Sequence, residues 1–136
     1  MENRFEWSAL VLRIVIGLTF VIHGIDKFQM GLENVAGFFG TMGLPAFLAY
    51  LVAFLEVVGG VALIAGLRTR VFSAVLAVIM IGAIVKVKLA AGFMGGENGA
   101  GYEFDLALLA MLIALSISGS SKFGLDSILF GKRAVE

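Results

Sequence analysis

Four stretches of this 136-residue chain are long and apolar enough to cross a bilayer, and that limits the fold before any motif does. A helical span needs about 20 mostly apolar residues. The stretches run at about 7–28, 45–67, 71–91 and 104–120. Trp7 opens the first, a ring suited to the membrane interface. Pro45 opens the second, where a first-turn proline costs nothing, and Glu56 is the only charge within it. The third is uncharged from Val71 to Val85 and then meets Lys86 and Lys88; the fourth is uncharged after Asp105. Gly-rich connections, "GLENVAGFFGTMGLP" (31–45) and "GFMGGENGAGYE" (92–103), separate them, and a tight "GLRTR" (66–70) joins the second to the third. A membrane barrel would instead show alternating segments of about ten residues.

Composition agrees. Hydrophobic residues make up 60% and charged residues 15%, against about 25% charged in soluble domains. The expected fold class is therefore an all-α integral membrane protein, a four-transmembrane-helix bundle forming a single domain over residues 1–136. Ten basic residues balance ten acidic ones, so nothing points to nucleic acid. The absence of Cys excludes disulfides, thiolate metal sites and dithiol redox chemistry.

The first stretch does not read as a removable signal peptide. Glu2 and Glu6 flank Arg4, Arg13 interrupts the apolar run, and no small-residue cleavage site follows. Arg4, Arg68, Arg70, Lys122, Lys132 and Arg133 fall on one side of a four-span arrangement, and Lys27, Lys86 and Lys88 on the other. The positive-inside rule then places both termini in the cytoplasm of a bacterial-type plasma membrane. The tail 123–132 is expected to form a short surface helix offering Phe123, Leu125, Ile128 and Leu129 to lipid. The 34–44 stretch, with Phe38 and Phe39, is expected to dip into the opposite interface.

The charges inside the spans are the candidate site. At about 100° per residue, Arg13, Gly17, Phe20, Gly24 and Lys27 share one face of the first helix, and His23 borders it. Small residues beside charges suit close packing around a polar centre. Glu56, followed by Gly59 and Gly60, repeats the design on the second helix. An ionised carboxylate in lipid costs several kcal/mol, so Glu56 should face the bundle and find a partner. Arg13, about 6 Å away in depth by helical rise, is the expected partner; snorkelling of Arg13 to the interface is the other reading. His23, Lys27, Lys86, Glu103 and Asp105 lie nearer the opposite surface, so a polar channel from that rim to an Arg13–Glu56 pair is expected. Plainer roles stand beside these. Lys88 reads as an end anchor, a lone His as packing, the glycines as helix-packing devices, and Glu97, Glu103 and Asp105 as a solvated rim without Ca²⁺-loop spacing.

"LRIVIGLTFVIHGIDKF" followed by "GLP", then "EVVGGVALIAGLRTR" and finally "GLDSILFG" resembles the DoxX family of small four-helix membrane proteins, and within it the CatD-like oxidoreductases found with catechol and quinone stress genes. The most specific element is Arg13, His23-Gly24 and Lys27 combined with Glu56-x-x-Gly59-Gly60. The chain departs from the commoner ending, which has Ser-Leu-Asp where Gly124-Leu125-Asp126 stands. The resemblance implies a plasma-membrane protein tied to redox chemistry, handling quinone- or catechol-type aromatics under toxic-quinone stress. On that reading His23 and Glu56 are catalytic and move protons, while Arg13, Lys27 and Lys86 bind substrate. The sequence carries no flavin, haem or metal motif, so the cofactor is left open, with a quinone as the candidate, and electrons must come from a redox partner protein or from a cofactor that no motif reveals. Its other partners would be the lipid bilayer and, in a homo-oligomer, further copies of itself. A non-catalytic transporter or a membrane scaffold for a redox partner would use the same polar core.

Overall fold

The structure, a computed structural model, describes residues 2–96, 99–119, 124, 125 and 128. Five α-helices dominate it: α1 (Glu2–Met30), α2 (Leu32–Thr41), α3 (Ala46–Ala65), α4 (Thr69–Ala83) and α5 (Glu103–Ser118). The helix of α4 continues through a π turn, Ile84–Lys88, and a 3₁₀ turn, Leu89–Ala91. A two-stranded antiparallel ribbon, β1 (Gly95–Gly96) with β2 (Gly99–Ala100), precedes α5.

Glycine and proline set the boundaries. Gly31, at φ 94°, breaks α1 from α2. Pro45 is extended (φ −62°, ψ 147°) and stands one residue outside α3 as its N-cap. Gly66 takes the left-handed conformation at the end of α3, with Leu67 N–H donating to Ala62 O and Gly66 N–H to Leu63 O. This is a Schellman closure, which satisfies carbonyls the helix end would otherwise leave bare.

Three helical segments are long and apolar enough to span a membrane: Arg4–Met30, Ala46–Ala65 and Thr69–Ala91. The expected fourth span at 104–120 is corrected by the structure. Gly119, at φ 75°, stops α5 at Ser118. Its 16 residues rise only about 24 Å, short of a hydrocarbon core of about 30 Å. The protein is therefore an all-α membrane protein with, among the described residues, three apolar helices long enough to span a membrane, not four. The inference that both termini share the cytoplasmic side falls with it, because that count of Lys and Arg assumed four crossings.

The packing is inverted relative to a water-soluble protein. Val11, Val15, Leu18, Val61, Val78 and Ile117 are exposed, whereas Arg13, Glu56 and Asp105 are buried. Large aliphatic side chains outside and charges inside are what a lipid solvent selects. The longest contact is between α1 and α3, and α5 packs mainly along α4. Ile16, Phe20, Leu63, Leu76, Leu112 and Leu115 form the centre of the apolar core. The α1–α3 contact is backbone to backbone. A Cβ on Gly17 would stand 2.6 Å from Gly60 O, and one on Gly60 would stand 2.5 Å from Gly17 O. Two helical turns further along α1, a Cβ on Gly24 would stand 3.0 Å from Val57 N. These glycines let two helices approach closely where side-chain knobs would separate them.

The 34–44 stretch forms most of α2, which buries Val35 and packs against α3 and α1. The expected tail helix lies largely outside the described residues, Phe123 and Leu129 included. Of its described residues Leu125 and Ile128 are exposed, and Gly124 packs against Gly66.

Candidate functional site

The Gly17–Gly60 and Gly24–Val57 contacts fix the register of the antiparallel α1–α3 pair, and that register sets which charges meet. Cα–Cβ bonds on a helix tilt toward its N-terminus. Lys27, near the end of α1, therefore leans back toward mid-bundle, and Glu56 leans toward the start of α3, which is the same end of the bundle. Their charged groups meet: Lys27 Nζ lies 2.8 Å from Glu56 Oε1. The Glu56 side chain is 4% exposed and that of Lys27 24%.

The same tilt separates Arg13 from Glu56. Arg13 leans toward the start of α1, where it meets the end of α3. Its residue is fully buried, and Arg13 Nη1 occupies the space that a Cβ on Gly66 or Gly124 would need. The expected Arg13–Glu56 pair is thus corrected to Lys27–Glu56, and Arg13 does not snorkel. Its guanidinium sits at the C-terminus of α3, where the helix dipole favours a cation.

A second ion pair joins the turn that follows α4 to the start of α5. Lys88 Nζ stands 3.1 Å from Asp105 Oδ1, with side chains 30% and 8% exposed. The core face of α4 runs through Thr69, Ser73, Leu76, Ala77 and Met80. Continued as a plain α-helix, that face would present Ala83 and Ile84 and then Val87. The π turn at Ile84–Lys88 adds a residue to the turn and rotates Lys88 inward instead. Lys86, in the same turn, is exposed and takes part in neither pair.

His23 is exposed on α1, and its ring lies 6.3 Å from that of Phe104 at an interplanar angle of 35°. The charges of Lys27, His23 and Asp105 are all near enough to act on the Glu56 carboxyl. The structure therefore brings together His23, Lys27 and Glu56 of the sequence-derived set. It leaves Arg13 at the opposite end and Lys86 on the surface.

Sequence reasoning missed two members. Lys88 reads as an anchor only if helical phase is carried straight through the π turn. Asp105 reads as rim by composition, yet it stands three residues before Leu108, on the buried face that continues through Leu112 and Leu115. That spacing was the available signal. Glu103 is exposed as expected for a rim residue, and Glu97 lies outside the described residues.

The DoxX family model matches residues 8–89, from α1 through Leu89. The chain is 44% identical over 134 residues to a Bacillus subtilis (strain 168) protein named "Putative oxidoreductase CatD", covering 98% of this chain and 96% of the relative. It is 39% identical over 137 residues to an uncharacterised membrane protein of Mycobacterium tuberculosis, covering 93% and 83%. It is 27% identical over 129 residues to the inner membrane protein YqjF of Escherichia coli (strain K12), covering 95% and 97%. No solved structure matches the chain.

Proposed function

We propose a function from one premise: the chain belongs to the DoxX family and is a multi-pass membrane protein. Its function is that of a membrane oxidoreductase component handling quinone- or catechol-type aromatics. The observation that carries this reading is the Lys27–Glu56 pair, held 2.8 Å apart inside a lipid-facing bundle with His23 one turn away. An intramembrane ionisable pair is costly, and such pairs mark substrate sites and proton relays. The name of the Bacillus relative supports the redox class.

Reducing a quinone adds two electrons and two protons, turning both ring carbonyls into hydroxyls. In this reading the electrons come from a redox partner of the flavoprotein class. His23 and Glu56 pass the protons, and Lys27 stabilises the oxyanion that forms on a carbonyl oxygen before it is protonated. Arg13 and Lys86, expected from the sequence to bind substrate, stand outside this arrangement. The second reading, a transporter or scaffold, is favoured by the mutual neutralisation of each lysine–carboxylate pair, which a purely structural polar core also requires.

The deciding experiment supplies the purified protein in detergent with a naphthoquinone and a reduced flavoprotein. Flavin reoxidation above the protein-free rate, lost in Glu56→Gln, supports the oxidoreductase. Saturable binding without turnover supports the transporter or scaffold. Neither binding nor turnover overturns both.

A further inference from the structure

We propose that a planar ring carrying two oxygens binds where α1 meets α5, lying against His23 and Phe104 with one oxygen on Lys27 and the other on Lys88; this rests on the aromatic-handling function proposed above. The sequence points to neither Phe104 nor Lys88 as a site residue, and to Asp105 only as part of the polar rim.

The two rings come first. His23 and Phe104 approach from different helices to 6.3 Å, inclined by 35°, and Phe104 is 46% exposed. Aromatic rings stack or meet edge to face at centroid separations of about 4.5–7 Å, so a flat ligand at this seam has ring contacts on both helices. Next to each ring stands an ion pair. Lys27 follows His23 by one turn on α1, and Asp105 follows Phe104 directly on α5.

Both pairs are built alike. The acid is buried and the ammonium is the more open member. An ammonium carries three donors and no acceptor, and each of these contacts engages one carboxylate oxygen. Donor capacity therefore remains on the open side of each lysine. Each pair is formally neutral, which suits carbonyl or phenolic oxygens better than a doubly charged anion. Two such donors flanking one ring contact define a dioxygenated ring rather than a ring with a single polar end. The π turn is part of the device, because it gives Lys88 the inward position that Val87 would otherwise hold.

The test measures binding of 1,4-naphthoquinone and of its one-carbonyl analogue, 1-tetralone, to the full chain in detergent micelles by calorimetry. Wild type is expected to prefer the quinone by about tenfold, as for one hydrogen bond to a charged donor. Lys88→Met risks misfolding by leaving Asp105 alone, so the double variant Lys88→Met/Asp105→Asn is used beside it. The double variant should lose the preference and keep its affinity for 1-tetralone. Phe104→Leu should weaken both ligands about fivefold. An unchanged preference in the double variant, or unchanged affinities in Phe104→Leu, overturns this site while the proposed function stands. Failure of wild type to bind either ligand overturns the site and the function together.

Discussion

Lys27 reaches back along α1 to place its ammonium 2.8 Å from the carboxylate of Glu56 on α3, so the most buried acid among the described residues is neutralised by a residue from near a helix end. The relationship is unequal: the lysine side chain keeps 24% of its surface and the glutamate 4%. Lys27→Met, which strands the buried carboxylate, is expected to destabilise the protein by about 3–5 kcal/mol. Glu56→Gln should cost less, because the freed lysine can turn outward. The double variant should be more stable than the sum of the singles requires. Thermal unfolding in detergent measures all three; strict additivity would mean that the two charges do not act as a pair.

Arg13 and Glu56 provide the complementary case. Arg13 packs against Gly66 and Gly124 at the other end of the bundle, so Arg13→Gln and Glu56→Gln should add within about 0.5 kcal/mol. A coupling well above that in the same unfolding assay would restore the pairing expected from the sequence.

The glycines sort into two classes. Gly60→Ala drives a methyl to within 2.5 Å of Gly17 O and should cost at least about 1–3 kcal/mol. Gly82→Ala, in α4 with nothing within 4 Å of its new methyl, should be neutral or stabilise by about 0.5–1 kcal/mol. Melting temperatures of the two variants check the contrast, and equal losses would remove the close α1–α3 approach.

His23→Asn should leave folded yield near wild type, since the ring is exposed and a polar side chain remains. If His23 passes protons, quinone-dependent flavin reoxidation should fall at least about tenfold. Full activity in a folded His23→Asn protein would reduce His23 to packing.

Some of this was legible in the sequence. The face that runs Arg13, Gly17, Phe20, Gly24 and Lys27 follows from 100° periodicity, and the bundle buries its first four residues. The partner of Glu56 did not follow, because helical rise measures the depth of Cα atoms. The N-terminal tilt of Cβ moves Lys27 and Glu56 together and draws Arg13 away. The end of the fourth apolar stretch was hidden for a different reason. Gly119 and the residues around it are uncharged, so hydropathy runs past the point where the left-handed backbone stops the helix. Lys88 was beyond any periodicity argument that assumes one helical repeat throughout.

The π turn makes the chemistry of this region depend on residue number as well as residue identity. Removing one residue between Ile84 and Val87 would take out the extra residue of the turn and leave Lys88 facing Asp105 from a plain α-helical repeat. Inserting one there would instead carry Lys88 about 100° past Asp105 and bring Val87 to its place, although both lysines would still be present in the chain. At this position a gain of length alone, with every charged residue retained, is equivalent to the loss of a lysine.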